Sequence, residues 1–304
     1  MNNKSNKLII FSGVLSVIFF SCLFAPIVKK LLLVAGQQIP AFASFSEFEM
    51  HRILSRLIMI LSAIFVIIFR KRLFQTGSAF TVLKPKKGDG FFYSTGFMLG
   101  IVTLTIQIIF AISFDARELF LSDETFLRFT RKAYKAVFTA SLIGFIEEFF
   151  FRGILFNSFK KRFKLWQAFF LSSFLYAIMH FFKPKEITGV DQTYIFSGFM
   201  VLAHMLKPFA SPDFLFKCTG LFLTGFCLAY AYHRTKSLYF SMGLHAGWVF
   251  IIKVDGSMVT RTIPEQTVWW GRSQLVGGVY TWILLILIAL LIHLLTRKKC
   301  KETT

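Results

Sequence analysis

Apolar runs long enough to cross a bilayer recur along almost the whole chain. They cover Leu8 to Val28, Ile53 to Phe69, Phe91 to Phe114, Ala136 to Phe159, Leu165 to Phe182, Phe214 to Tyr232, Ser237 to Ile252 and Leu275 to Leu295. A hydrocarbon core about 30 Å thick takes about 20 residues of helix to cross. Inside lipid, backbone N–H and C=O groups have no water to bond, so a spanning segment is a helix or part of a closed barrel. Unbroken apolar runs of this length predict helices. The fold class expected is therefore all-α, a multi-pass integral membrane helical bundle of about eight transmembrane helices. The second and seventh runs are the shortest. A further apolar piece, Tyr194 to Leu206, is too short to span and is read as interfacial or re-entrant.

Composition agrees. The 304 residues are 55% hydrophobic, with 41 phenylalanines, and soluble domains run at about 45 to 50% even with glycine counted. The formal net charge of +20 would suit a nucleic-acid binder, but the basic residues bracket the apolar runs, as membrane proteins place them. No nucleic-acid partner is expected; the partner implied is the bilayer. With the N-terminus inside, the clusters Arg70 to Arg72, Lys84 to Lys87, Lys160 to Lys164 and Arg297 to Lys301 fall on one face. Both termini are then cytoplasmic. The first run is longer than a signal h-region and is read as an uncleaved span. Four cysteines form no C-x-x-C pair, so neither a disulfide framework nor a thiolate zinc site is read. No internal repeat is evident, and residues 1–304 are expected to form a single membrane domain.

One run breaks the apolar pattern. "GFIEEFFFRG", Gly144 to Gly153, carries two adjacent carboxylates and an arginine. Three such charges at the centre of a membrane helix cost about 8 to 10 kcal/mol on insertion scales. Glu148 and Arg152 are i and i+4, share a helical face and can offset each other, the arginine fork closing on the carboxylate. Glu147 lies about 100° round the helix from Glu148. It is left to face a cavity, where a carboxylate suits general acid–base work. The alternative for Glu148 and Arg152 is an ion pair that only fixes helix packing.

Histidines supply the other polar centres. In "FLSSFLYAIMHFF", His180 lies one turn after Tyr176. The lysine-rich turn Lys160 to Lys164 makes this run and the preceding one an antiparallel hairpin. Counted from that turn, Glu147 and His180 reach similar depth, within about 5 Å. In "SMGLHAGWVF", His245 is flanked by Gly243 and Gly247, small residues that let a helix or substrate come close. Trp248 and Val249 occupy the next turn, where they can line a substrate. His204 is a minor candidate. His51 and His233 stand beside charged loop ends and are expected to be solvated, and His293 sits near the basic end of the last run.

Taken together, these residues resemble the CPBP family of CAAX-protease and bacteriocin-processing intramembrane endopeptidases. "EEFFFRG" is similar to its E-E-x-x-x-R signature. "YAIMH" resembles its second motif, F-x-x-x-H, with Tyr176 in place of phenylalanine. "HAGWV" resembles its third, H-x-x-x-N, with Val249 in the last place. The likeness covers roughly residues 136–278. It implies that Glu147 activates water, that His180 shares that water, that Glu148 and Arg152 support Glu147, and that His245 helps hold the oxyanion. Val249 cannot supply the second oxyanion contact of the family pattern. The resemblance implies a hydrophobic or lipidated peptide or protein as substrate and a bacterial cell membrane as location. A glutamate–water mechanism requires no cofactor. Glu147, His180 and His245 are also a chemically sensible zinc set, and both readings stand at this level. A non-catalytic binding, regulatory or immunity protein of the same fold is the alternative. A proton-coupled transporter is a third, disfavoured by the lack of internal symmetry.

Overall fold

Each of the eight apolar runs carries a helix in the computed structural model, which describes residues 3–39, 48–74, 83–119, 123–181, 191, 193–211, 214–256, 259–261, 267–270 and 277–301. The helices are α1 (Asn3–Gln38), α2 (Met50–Phe74), α3 (Asp89–Ser113), α4 (Asp123–Glu148), α5 (Asn157–Arg162), α6 (Leu165–Phe181), α7 (Ser197–Leu206), α8 (Phe214–Thr235), α9 (Leu238–Asp255), the single turn α10 (Thr267–Trp270) and α11 (Val279–Lys301). A π-helical stretch, Phe149–Phe156, joins α4 to α5. Four helical segments among the described residues are long and apolar enough to cross a membrane: Ser12–Gln38, Asp89–Ser113, Phe214–Thr235 and Val279–Arg297. α6 is a shorter apolar helix. Val102, Ile106 and Ile109 on α3, and Leu287, Leu290 and Leu294 on α11, are exposed. Apolar side chains placed outward in rows suit lipid rather than water. The protein is an all-α membrane protein. The only strands among the described residues are β1 (Arg117–Leu119) and β2 (Val259–Arg261), an antiparallel pair in the register Arg117↔Arg261 and Leu119↔Val259.

The chain forms two compact units, residues Met1–Gly77 with Met179–Phe214, and Ser78–Ile178 with Leu215–Thr304. In the first, Cys22 and Ala25 of α1, Met50, Ile53 and Leu54 of α2, and Val201 and Met205 of α7 make a buried core. Gly198 lets α7 lie directly on the backbone of Cys22. Lys29 ends its apolar run by donating to the carbonyl of Phe48, 2.8 Å.

In the second unit, the expected hairpin forms. Phe163 is extended between α5 and α6, and the two legs run antiparallel: Phe156 packs on Phe169 at 4.9 Å between ring centroids, and Phe151 on Tyr176 at 5.0 Å. α3 and α11 are joined by Gln107 donating to Thr281, 2.5 Å. α8 and α11 are joined by Tyr230 with His293, 2.6 Å, and by Arg234 donating to Thr296, 3.0 Å. Arg117 holds both carboxylate oxygens of Asp255, at 2.7 and 2.6 Å, and so ties β1 to the end of α9.

Candidate active site

Helix α9 is held against α3 by glycine on both sides. A Cβ at Gly96 would strike the carbonyl of Phe240, and one at Gly100 would lie 2.5 Å from that of Leu244. On α9, a Cβ at Gly243 would strike the carbonyl of Tyr93, and one at Gly247 that of Phe97. Backbones approach this closely only where no side chain intervenes. Gly144 of α4 sits similarly close to Met242 and Ala246. Trp248 donates its indole N–H to Thr103 of α3, 3.0 Å. Gripped from α3, α9 turns Ser241 and His245 toward the carboxylates of α4.

Glu148 is the hub. It and Arg152 are both 0% exposed. Oε1 accepts from Arg152 Nη1 at 2.6 Å and faces His245 Nδ1 at 3.1 Å. Oε2 accepts from the hydroxyl of Ser241, which also lies 3.1 Å from the carbonyl of Leu228. Three donors on one carboxyl are served by the ionised form, which only accepts. The bond to Oε1 puts the imidazole proton on Nδ1 and leaves Nε2 bare. Arg152 does not close a fork on Glu148, as the spacing led us to expect. Its second nitrogen, Nη2, donates instead to the carbonyl of Gly225 on α8, 2.9 Å. The guanidinium also lies 4.7 Å from the Tyr176 ring centre.

Glu147, next in the chain, points to a different place. Its side chain is 25% exposed, and Oε2 lies 3.9 Å from His245 Nε2. The Tyr176 hydroxyl is 3.5 Å from the same nitrogen. A carboxylate oxygen, an imidazole nitrogen and a phenol thus converge beside a neutralised Glu148–Arg152 pair. A cavity of about 450 Å³ opens among Lys86, Tyr93, Ser141, Phe145, Tyr239 and Met242. Phe145 is two residues before Glu147, and Met242 adjoins Ser241. The cavity is mostly apolar, with the Tyr93 hydroxyl donating to Ser141, 2.7 Å.

An acidic pair on one helix, a buried arginine one turn on, and a histidine delivered from a separate helix make a recognisable arrangement. Residues 130–251 match the family described as type II CAAX prenyl endopeptidase Rce1-like. In this segment the chain is therefore similar to CAAX proteases. It holds Glu147, Glu148, Arg152, Tyr176, His180, His245, Trp248 and Val249. No curated protein and no solved structure matches the chain.

Within the matched segment, the structure gathers Glu147, Glu148, Arg152, Tyr176 and His245. His180, half-buried in the last turn of α6, is counted with the first unit. Val249 is half-buried one turn beyond His245, and Trp248 spends its N–H on α3. His204 lies on α7 of the first unit, its Nδ1 2.9 Å from the carbonyl of Met200. Two histidines depart from expectation. His51 and His233 are only partly exposed. His51 is half-buried and 2.8 Å from Glu49. His233 packs edge-on against Phe169 at 5.6 Å. Among the described residues, no three His, Cys, Asp or Glu side chains are grouped to hold a metal ion.

Sequence reasoning missed Ser241 and the carbonyl of Gly225. Neither carries a signal of its own, since a serine or glycine in an apolar helix is ordinary packing material. It also missed the π-helical stretch that begins immediately after Glu148. π-Bulges are often found at functional sites, and this one contains Arg152.

Proposed function

We propose that this chain is an intramembrane endopeptidase that hydrolyses a peptide bond in a hydrophobic or lipidated peptide, with Glu147 as general base. The family description makes a prenylated peptide the first substrate class to try. The observation that carries the proposal is the division of labour between adjacent carboxylates. Both oxygens of Glu148 are already engaged, by Arg152, His245 and Ser241. Glu147 faces the bare Nε2 of His245 across 3.9 Å, a separation that a water about 2.8 Å from each can bridge.

The steps follow. The bridging water gives one proton to Glu147, and its oxygen bonds to the scissile carbonyl carbon. The C–N bond of the resulting tetrahedral species breaks. Glu147, now protonated, returns the proton to the departing amine, leaving a carboxylic acid, which then loses its proton to solvent, and a free amine. His245 accepts the second hydrogen bond of the water and so orients its lone pair. Glu148 fixes the imidazole tautomer, and Arg152 offsets the charge of Glu148 in a site where bare charge is costly. Glu147 supplies the base that a metal would otherwise replace, so no metal is required. Cytoplasmic termini in a bacterial cell membrane belong to the same proposal, supported by the basic loops.

The test is turnover of a membrane-peptide library, prenylated and unprenylated, by purified protein in detergent or vesicles. Native protein cleaves; Glu147→Gln, isosteric but without a base, loses at least about 100-fold while melting as native. Full activity in Glu147→Gln removes Glu147 from the base role. A non-catalytic peptide-binding protein is the second reading, favoured by Val249, which offers no donor beside His245. It predicts binding without turnover in native protein.

A further inference from the structure

Hydrolysis of an amide puts negative charge on the carbonyl oxygen, and a peptidase needs a hydrogen-bond donor aimed there. The described cluster offers few. Glu147 and Glu148 accept only. The Arg152 Nη groups are held by Glu148 and Gly225, and its Nε–H, which has no hydrogen-bond partner among the described residues, is fully buried. The Ser241 hydroxyl is directed to Glu148 and Leu228. With its proton on Nδ1, facing Glu148, His245 presents an acceptor at Nε2, and a neutral imidazole in that tautomer gives nothing to an oxyanion. Val249, one turn further on, has no polar atom. Tyr176 holds its O–H 3.5 Å from Nε2, the nitrogen that Glu147 faces.

We propose that the Tyr176 hydroxyl is the oxyanion donor of this site, an inference that rests on the peptidase reading above. Its bond to Nε2 is long, 3.5 Å, and weaker than one to a charged oxygen. As the water passes a proton to Glu147 and the carbonyl oxygen gains charge, Tyr176 donates its O–H to that oxygen. It keeps the proton, and the bond relaxes when the carbonyl reforms. The ring is already fixed. Tyr176 is 2% exposed, with the Arg152 guanidinium over one face at 4.7 Å and Phe151 at its edge. Gly225 lets the α8 backbone lie against it: a Cβ there would stand 3.0 Å from Tyr176 Cδ1 and 3.1 Å from Ser173 Cα. A donor locked before substrate arrives costs no reorganisation during reaction. Tyr176 thereby fills the place that Val249 leaves empty.

Steady-state cleavage of one identified peptide, compared across native protein, Glu147→Gln and Tyr176→Phe, tests this. Phenylalanine keeps the ring, the guanidinium contact and the packing against Gly225, and removes only the hydroxyl. The expected result is a kcat lowered by about 10²- to 10³-fold, with KM and melting temperature close to native. If native protein cleaves, Glu147→Gln is dead and Tyr176→Phe turns over at the native rate, the donor assignment is overturned and the peptidase reading stands. A Tyr176→Phe protein that melts much lower, with kcat and KM both shifted, also overturns it, because the hydroxyl is then structural. If native protein cleaves nothing, or Glu147→Gln cleaves as native, the peptidase reading fails and takes this inference with it.

Discussion

Removing Glu148 strands more than one neighbour. Arg152 would be left 0% exposed beside the carbonyl of Gly225 and the rings of Tyr176 and Phe151, and His245 would lose the acceptor that sets its tautomer. Breaking a buried ion pair from one side typically costs about 3 to 5 kcal/mol. Glu148→Ala should therefore lower the detergent melting temperature and abolish turnover together, whereas Glu147→Gln abolishes turnover alone. Equal melting of Glu148→Ala and native protein would show that the pair contributes nothing net to the fold. The Glu148–Arg152 contact was legible because i,i+4 pairing is local and needs only the helix period. Ser241 was not: its bond to Glu148 spans 93 residues, and nothing in an isolated apolar helix announces which serine will face a carboxylate. The separate direction taken by Glu147 was legible from the same 100° step. That Arg152 divides its donors between Glu148 and α8 was not, because the acceptor is a backbone carbonyl.

The α3–α9 seam sets the position of His245 through four glycines. Gly247→Val should push the two helices apart or block their docking, at a cost of about 1 to 3 kcal/mol or more, and it should lower activity through displacement of His245. Gly256→Ala is the control: nothing lies within 4 Å of the added methyl, and its φ of −66° suits alanine. Melting curves of the two variants check this; a Gly247→Val protein as stable as Gly256→Ala would mean that the seam yields freely. The helices themselves were readable from apolar length, since lipid leaves the backbone no other open choice. Gly243 and Gly247 also marked a close approach. What approached, Tyr93 and Phe97 of α3, was not readable, because small residues specify distance and not identity. The β1–β2 pair was not expected either. It is three residues long on each side and is held beside Arg117–Asp255, a contact formed across the fold.

At the scale of the whole molecule, two solution measurements discriminate. Prolonged chelation should leave turnover intact, and elemental analysis should find well below one zinc per chain; stoichiometric zinc with chelator-sensitive activity would make Glu147 and His245 ligands instead. The second is pH. His51, just before the second apolar run, has its pKa lowered, first by burial, with Glu49 acting in the opposite direction and Arg52 in the same. The folded protein keeps this imidazole neutral at pH values where the unfolded chain, near pKa about 6.5, takes up a proton. Its contribution to stability is therefore present above about pH 6.5 and is lost as pH falls through that value toward the folded pKa. Native protein should melt lower on acidification from pH 7.5 to 5.5, and His51→Gln should show a smaller drop over the same window. A drop of the same size in both would assign it to other groups. Membrane class, the family resemblance and most of the candidate cluster could be read from composition and motif order. The first two helices, by contrast, carry no motif, so their sequence announced helices and little else.

The π-helical stretch after Glu148 has a consequence for how this segment tolerates length. A turn closed by i→i+5 bonds holds one residue more than an α-turn, while each α-helical residue advances about 100°. Deleting one residue between Phe149 and Gly153 would let the rod become regular α-helix. The same deletion in the regular α-helix before it would instead rotate everything beyond by about a quarter turn, carrying Asn157 off the Tyr232 hydroxyl that it now meets at 2.9 Å and Phe156 off Phe169. Here an amino acid serves as a gear tooth: its identity matters less than the fact that it is counted.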